Sequence, residues 1–252
     1  MPGPERGTPV TKRLMDVVLS ALGLLASSPV LGVTLFLVWY HDRHSPFYVP
    51  SRVGRGGQPF RMIKLRSMVV QADRTGVDST SAGDARITPV GRFIRRFKLD
   101  ELSQLWNVLR GDMSLVGPRP QVERDARLYT EVERHLLDVA PGITDFASIV
   151  FADEGDILDG AADPDLRYNQ VIRPWKSRLG LHYIATRSLW LDVRLVFATA
   201  LNSARRPTAL RWVAELLEET GADTQLVRIA RRGETLEPFP PPGATEIVQS
   251  RS

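Results

Sequence analysis

The sequence predicts a mainly helical α+β protein, in which an N-terminal membrane-embedded helix precedes a compact cytoplasmic domain with a small β-hairpin and surface amphipathic helices. Three observations carry this prediction. An uncharged run of 24 residues extends from Val17 to Tyr40, a hairpin pattern follows it, and apolar residues recur at helical spacing over much of the remaining chain. The 252 residues, 43% of them hydrophobic, suffice for one ordinary core with appendages.

The membrane-embedded helix is expected over residues 12–42, after a proline- and glycine-rich N-terminus, residues 1–11, that is expected to be disordered. An apolar run of this length is typical of a segment that enters the bilayer. It is too long for a cleaved signal peptide and lacks a clear small-residue cleavage site. A buried helix of a soluble protein is the alternative.

Ser28 and Pro29 lie in the middle of this run, and proline removes a backbone donor and favours a kink. The hydroxyls of Ser27 and Ser28 are candidate donors to the freed carbonyls. Basic residues flank both ends, which favours keeping both ends cytoplasmic. We therefore expect a re-entrant helix-break-helix, with a straight span as the alternative.

The segment after the membrane helix predicts a β-hairpin and then two helices. Residues Phe47–Arg52 and Phe60–Lys64 flank a Gly-Arg-Gly-Gly turn. Val90–Phe97 predicts a helix with one basic face and one apolar face, which suits a membrane surface. Leucines then recur at helical spacing from Leu99 until Gly111, where that helix is expected to stop.

The rest of the chain predicts further helices over residues 123–137 and 174–200, and the catalytic domain is expected to comprise residues 43–202. Residues 203–252 are expected to form a polar C-terminal extension, partly disordered, with a helix at Leu210–Thr220 and a proline-rich tail. Because its apolar content is low, we expect this extension to be dispensable for the chemical step.

Composition limits the chemistry. The chain has no cysteine, which excludes disulfides, cysteine-ligated zinc, iron–sulfur clusters and thiol nucleophiles. Its four histidines show no metal-ligand spacing, and neither a P-loop nor a dinucleotide-binding glycine fingerprint is present. The net charge is +4, but residues 43–66 carry six Lys or Arg and no acid. Such a basic stretch suits phosphates, lipid headgroups or nucleic acid.

The adjacent acids Asp100 and Glu101 stand at the predicted start of the leucine-spaced helix, directly after the basic helix. Aspartate is a favoured N-cap, and the neighbouring cations, Arg95, Arg96 and Lys98, favour an ionised carboxylate. An ionised carboxylate facing phosphorus can act as a nucleophile, and a second acid can bind Mg²⁺. Most such pairs, however, serve only as helix caps.

Three further cations support a phosphate site. Lys64 and Arg66 end the hairpin on one strand face, and Arg119 lies on the rigid Gly117–Pro120 turn. The planar guanidinium of arginine matches phosphate oxygens in two-point contacts. The alternative for each is an ordinary solvated surface charge.

The order of these motifs resembles that of the bacterial sugar transferase family. The resemblance rests on Arg86-Ile87-Thr88, Gly91 to Arg96, Leu99 to Leu102 and Gln104 to Pro120, and it covers roughly Lys12 to Ala200. Members are monotopic phosphoglycosyl transferases that begin the assembly of capsule, exopolysaccharide, O-antigen or glycoprotein glycans on undecaprenyl phosphate. This chain resembles a form that consists of the catalytic domain only.

The resemblance implies a role for each site residue. Asp100 is the expected nucleophile and Glu101 the ligand of the Mg²⁺ cofactor. Lys64, Arg66, Arg95 and Arg119 are expected to bind the phosphates of donor or lipid, and Ser28 and Pro29 to form the membrane break. The implied partners are a nucleotide-sugar donor (a UDP-sugar), the polyprenyl phosphate acceptor, membrane lipids, a second copy of the chain in a homodimer and downstream glycosyltransferases. The implied location is the bacterial inner membrane, with the catalytic domain on its cytoplasmic face.

The chain departs from the family pattern at three places. Ser103 replaces the usual proline, and we expect little effect. Asp145 to Ser148 replace a Gly-Trp-Ala-Gln sequence, and Gly180 stands where many members carry an acid. We expect the last two departures to concern the donor sugar rather than the reaction.

Two other classes of function compete with this interpretation. A membrane-anchored nucleic-acid-binding protein would account for the basic residues and interleaved aromatics of residues 43–98. It leaves unexplained why two acids lie among those cations, and we expect no nucleic-acid partner. An inactive assembly scaffold is the other alternative, against which the presence of Asp100, Glu101 and Arg119 argues.

Overall fold

The computed structural model describes residues 8–72, 80 and 83–250, and it confirms a mainly helical chain with few strands. The expected disorder of residues 1–11 concerns residues that lie largely outside the described part of the chain. The long N-terminal helix, the hairpin and the amphipathic helix after it are all present in the described part.

The N-terminal helix, α1 (Val10–Asp42), has 33 residues, and it is long and apolar enough to cross a membrane. The expected break at Ser28 and Pro29 is not confirmed, because helical structure continues through both residues. Proline leaves the carbonyl of Leu25, four residues earlier, without its helical donor. The hydroxyl of Ser28 donates to that carbonyl at 2.8 Å, which satisfies it within the apolar segment.

Both ends of α1 are fastened to the rest of the protein. Near its start, the carboxylate of Asp16 accepts hydrogen bonds from the Ser114 hydroxyl (2.8 Å) and the Leu115 amide (3.2 Å). At its end, Asp42 forms a two-point ion pair with Arg66, with distances of 2.5 and 2.7 Å. Most apolar side chains between these two anchors are exposed and do not pack against the rest of the protein.

The hairpin is confirmed as two short antiparallel ladders. Strand β1 (Phe47–Tyr48) pairs with β4 (Lys64–Leu65), and β2 (Ser51–Val53) pairs with β3 (Pro59–Arg61) around a 3-10 turn at Arg55–Gly57. The buried side chain of Asn107 holds this hairpin in place. Its Oδ1 accepts from the Ile63 amide and its Nδ2 donates to the Arg61 carbonyl, both at 2.8 Å.

The amphipathic helix α2 (Pro89–Arg96) is also confirmed. Thr88 caps it, with its hydroxyl accepting from the Gly91 amide at 2.9 Å, and proline occupies the first helical position. Ile94 is fully buried, whereas Phe93 and the following Phe97 are more than half exposed. The leucine-spaced segment forms two short helices, α3 (Leu99–Leu102) and α4 (Leu105–Arg110), and it stops at Gly111 as predicted, where φ is 93°.

The remaining elements wrap around one main core. They are β5 (Ser114–Val116), α5 (Glu123–Arg127), a 3-10 helix (Glu133–Asp138), β6 (Gly142–Thr144), α6 (Phe146–Val150), α7 (Glu154–Ile157), α8 (Pro164–Arg167), a π-helix (Tyr168–Ile172), α9 (Arg173–Thr186), α10 (Leu189–Ala204), α11 (Arg206–Glu219) and α12 (Thr224–Arg231). Strands β5 and β6 pair in parallel. The helices predicted over residues 174–200 correspond to α9 and α10.

The single helix predicted over residues 123–137 is wrong, because a second N-terminus interrupts it. Thr130 and Glu133 form a reciprocal capping box, in which the Thr130 hydroxyl accepts from the Glu133 amide and the Glu133 carboxylate accepts from the Thr130 amide, both at 3.1 Å. Glu133 is fully buried and also binds Arg173. Helix α5 therefore ends at Arg127, and the separate 3-10 helix begins at Glu133.

The C-terminal extension differs most from expectation. Helices α11 and α12 pack on α6, α9 and α10, and their inner faces belong to the main core; these buried residues include Val213, Leu216, Leu217, Leu226 and Ala230. The polar residues that dominate the sequence lie on the outer faces. In the proline-rich tail, the Phe239 ring stacks on Trp175 with centroids 4.5 Å apart, and Arg178 donates to the Pro240 carbonyl.

Ending the chain at Asn202 is therefore expected to leave no stably folded protein, contrary to the expectation that the extension is dispensable. The truncation would expose the core faces of α6, α9 and α10 and remove several fully buried leucines, each worth about 2 kcal/mol. Size-exclusion chromatography and thermal unfolding in detergent measure the effect. A chain ending at Glu237 retains both helices and is the matched control, expected to remain folded. A monodisperse, cooperatively unfolding protein ending at Asn202 would contradict this prediction.

Candidate active site

Asp100 and Glu101 lie side by side on α3, and each is paired with a cation from a different element. Lys64 Nζ, on β4, lies 3.2 Å from Asp100 Oδ2. Arg119 Nη2, after β5, lies 2.9 Å from Glu101 Oε1. These four side chains are between 14% and 32% exposed, so the cluster is sheltered but open to a ligand.

The predicted N-cap role of Asp100 is wrong. Lys98 occupies the cap position, and no side chain caps α3. Asp100 is already inside this four-residue helix, because Lys98 takes up a left-handed conformation, with φ of 51°, and makes the turn from α2 to α3. That conformation costs a residue other than glycine about 1–2 kcal/mol. The turn at Lys98 directs Asp100 towards Lys64 of the hairpin and Glu101 towards Arg119 after β5.

Arg119 is positioned by two glycines that bring two backbone segments together. A Cβ at Gly142 would lie 2.1 Å from the Gly117 nitrogen, and a Cβ at Gly117 would lie 2.6 Å from the Ala140 carbonyl oxygen. No other residue fits at either position without moving the backbone. The turn after β5 is thereby held against β6, and Glu101 raises the pKa of Arg119 by direct charge interaction.

The other two predicted phosphate ligands have partners of their own. Arg95 Nε donates to the Ser67 hydroxyl at 2.9 Å, and burial lowers the pKa of Arg95 although the charge of Asp100 acts in the opposite direction. Arg95 is therefore close enough to Asp100 to influence the site. Arg66 is instead bound to Asp42 and to the Ser45 carbonyl. Arg66 thus fastens the end of α1. Among its contacts in the described part of the chain, none is with Asp100.

Several more charged residues lie around the cluster, and of these only Lys98 was identified from the sequence. Burial lowers the pKa of Lys98, and Glu101, Arg119, Asp100 and Arg206 all act on its charge. Arg206 begins α11, pairs with Asp153 at 2.8 Å and also donates to carbonyls at the end of α6. Glu154, which follows Asp153 in the chain, forms an ion pair with Lys176. No sequence spacing links Arg206, Glu154 and Lys176 to Asp100, because they lie on separate elements that meet only in the folded chain.

A pocket adjoins this cluster on the far side of Arg119. Its wall includes Asp145 and Ser148 at the start of α6, Tyr168 and Lys176. Gly180 lies behind the same wall: a Cβ there would come within 2.8 Å of Leu136 and 3.7 Å of Pro118, and both of these residues line the pocket. Of the two places after residue 140 at which the sequence departs from the family pattern, the first therefore lines the pocket and the second packs against residues that line it.

The carboxylates of the cluster fit a magnesium ion shared with a substrate. Among the described residues, no group of three or more His, Asp or Glu side chains is arranged to hold a metal by itself. Mg²⁺ is commonly held by one or two carboxylates together with substrate phosphate oxygens and water. The adjacent acids Asp100 and Glu101 meet that requirement.

Comparison with known proteins places this arrangement in a family. The family model described as bacterial sugar transferase matches residues 7–206, which include α1, the hairpin and the whole charged cluster. The chain belongs to the bacterial sugar transferase family.

Three relatives indicate how this bacterial sugar transferase compares with others. It is 35% identical over 195 residues to the UDP-N-acetylgalactosamine-undecaprenyl-phosphate N-acetylgalactosaminephosphotransferase of Aeromonas hydrophila, covering 75% of this chain and 42% of that protein. It is 36% identical over 207 residues to the UDP-glucose:undecaprenyl-phosphate glucose-1-phosphate transferase of Xanthomonas campestris, covering 79% and 40% of the two chains. It is 33% identical over 205 residues to the exopolysaccharide production protein ExoY of Sinorhizobium fredii, covering 75% of this chain and 84% of that protein. The chain thus spans less than half of the first two relatives and most of the third.

Proposed function

We propose that this bacterial sugar transferase transfers a sugar 1-phosphate from a UDP-sugar to undecaprenyl phosphate, the first membrane step in building a polysaccharide or glycan. The observation that carries the proposal is the Asp100–Glu101 pair, in which each acid is held by a cation from another element, beside a long apolar helix. The names of the relatives support the donor and acceptor classes.

The reaction proceeds in two displacements. The Asp100 carboxylate attacks the sugar-proximal phosphorus of the donor, and the bond to the other phosphate breaks, which releases the nucleoside monophosphate. A phosphate oxygen of the lipid then attacks the aspartyl phosphosugar, frees the Asp100 carboxylate and yields undecaprenyl diphosphosugar. Lys64 holds Asp100, and Arg119 and Lys98 supply positive charge for the diphosphate.

Glu101 would hold Mg²⁺, with Asp100 beside it. When bound, the ion neutralises charge on the diphosphate and its leaving group. Arg119 contacts Glu101 in this structure, so the same guanidinium is placed to share the phosphate oxygens of a bound donor.

We further propose that α1 enters the membrane and returns, so that both its ends and the catalytic domain lie on the cytoplasmic face. The anchors at Asp16 and Asp42 are 26 residues apart, and a straight helix of that length spans about 39 Å, more than the hydrocarbon core of a bilayer. Both anchors nevertheless bind the same domain, through Ser114 and Arg66. A straight span would separate those two partners by the bilayer.

Cysteine labelling tests this topology, since the chain has no cysteine of its own. Single cysteines at Thr8 and Ser45, both exposed, flank α1. Neither is expected to react with a membrane-impermeant thiol reagent in intact cells, and both are expected to react after permeabilisation. Labelling of one of the two positions in intact cells would support a straight span and contradict the re-entrant arrangement.

Turnover itself is tested with the purified protein, Mg²⁺, undecaprenyl phosphate and a panel of UDP-sugars that includes the glucose, galactose and N-acetylgalactosamine donors. At least one donor is expected to release UMP and to place its sugar in the organic-soluble lipid fraction. A folded protein that releases no nucleoside monophosphate from any nucleotide sugar would refute the proposed function.

A further inference from the structure

The pocket beside Arg119 contains a carboxylate that the proposed reaction does not use. Asp145 is only 1% exposed and lines this pocket. One of its oxygens, Oδ1, accepts from the amide of Ser148 at 2.7 Å and from the Ser148 hydroxyl at 2.6 Å. Over residues 8–72, 80 and 83–250, no donor forms a hydrogen bond with the other oxygen, Oδ2.

Capping of α6 accounts for only half of this side chain. Asp145 is the N-cap of that helix, and the two bonds from Ser148 to Oδ1 perform the capping. Serine or asparagine caps a helix about as well, without bringing a second carboxyl oxygen into the interior. Oδ2 has no donor among the described residues, and it is not sealed off from the pocket that Asp145 lines, so it is available to a group that enters there.

The charge of the pocket restricts what can satisfy that oxygen. Burial raises the pKa of Asp145, while its bonds from Ser148 and the charges of Lys176 and Arg119 act in the opposite direction. A carboxyl oxygen in such a pocket accepts a hydrogen bond from a neutral donor such as a hydroxyl group. Arg119, to which the proposed function assigns the donor phosphates, lies in the same wall. The pocket thus combines a phosphate-binding cation with an acceptor for an uncharged polar group.

We propose that Asp145 Oδ2 accepts a hydrogen bond from a hydroxyl group of the nucleotide-sugar donor, and that this contact makes the pocket selective for the donor. The inference rests on the proposed function, because a nucleotide sugar presents hydroxyl groups on both sides of its diphosphate. Ser148 is a positioning residue, since its two bonds fix the direction of Oδ2. The hydroxyl belongs either to the transferred sugar or to the ribose, and the experiment separates these two sources.

The variant Asp145→Ser keeps a capping side chain and removes the second oxygen. With the best UDP-sugar of the panel, we expect kcat/KM for UMP release to fall about 10- to 100-fold, the usual range for one hydrogen bond to a charged group. Donor analogues that each lack one sugar hydroxyl identify the group. For the analogue that lacks the bound hydroxyl, kcat/KM of the wild type is expected to be low, and kcat/KM of Asp145→Ser is expected to be no lower than that of the wild type. Asp223→Ser, at the cap of α12, is the matched control and is expected to leave kcat/KM unchanged.

Inhibition by UDP, which lacks the sugar, distinguishes the two sources of the hydroxyl. An unchanged UDP inhibition constant in Asp145→Ser assigns the bond to the transferred sugar, and a weakened one assigns it to the ribose. Equal kcat/KM of the wild type and Asp145→Ser for every donor would overturn the proposal and leave Asp145 as a cap only. Absence of UMP release by the wild type would instead refute the proposed function itself.

Discussion

Replacing Asp100 with asparagine is expected to abolish turnover, with a loss of more than about a thousandfold in kcat. Asparagine has nearly the same shape as aspartate but cannot attack phosphorus as a carboxylate does. Because Asp100 does not cap α3, the substitution removes no helix cap, and the loss should therefore be chemical. The wild type incubated with donor alone should gain the mass of one phosphosugar on the peptide that contains Asp100, and Asp100→Asn should gain nothing.

The matched control is Asp138→Asn, an exposed aspartate whose partner is the exposed His135. It is expected to retain both turnover and the adduct. Both variants should show the same thermal unfolding as the wild type, which separates chemistry from folding. A quenched wild-type sample without adduct, together with kinetics that require both substrates before UMP appears, would replace this mechanism with direct attack by the lipid phosphate.

Replacing Glu133 with glutamine is expected to destabilise the protein by about 3–5 kcal/mol. Glu133 is fully buried, and its carboxylate accepts from Arg173 Nη2 at 2.5 Å, from Arg173 Nε at 3.1 Å and from the Ser177 hydroxyl at 2.7 Å. Neutralising it leaves the Arg173 charge in the interior without a counter-ion. The temperature of unfolding in detergent should fall by on the order of 10 °C.

Glu123→Gln provides the comparison, since Glu123 also pairs with an arginine, Arg127, but both side chains are more than 70% exposed. Exposed pairs contribute about 0–1 kcal/mol, so this variant should unfold within a few degrees of the wild type. Similar unfolding temperatures for the two variants would show that the Arg173 charge is solvated or compensated elsewhere.

Local sequence patterns predicted the parts of the fold whose signals are local. The Gly-Arg-Gly-Gly turn predicted the hairpin. The separate basic and apolar faces of the segment around Phe93 and Phe97 predicted α2. The prediction that Lys64 and Arg119 belong near the acidic pair rested on motif order, and the contacts with Asp100 and Glu101 bring them together. Their roles in binding phosphate stay predictions.

The parts that could not be predicted depend on contacts between distant residues. The pairing of Arg66 with Asp42 joins two elements that sequence reasoning treated separately. The left-handed Lys98 shifted the start of α3, although lysine is not typical of that conformation. The extension after Asn202 is somewhat less apolar than the whole chain, but α11 places nearly all of its apolar residues on one buried face. Low average hydrophobicity therefore concealed a core helix.

The contribution of α11 and α12 to the core sets an order of events during synthesis. Helix α1 leaves the ribosome first and can enter the membrane while most of the chain is still to be made. The 29 residues from Ser203 to Arg231 take about 1.5–6 s to translate at 5–20 residues per second. During that time the faces of α6 and α10 that later pack on α11 are not yet covered by the complete helix, and Asp153 lacks Arg232, the second of the two arginines that later hold it. The N-terminal apolar helix is thus made before Asp153 has both of its arginine partners.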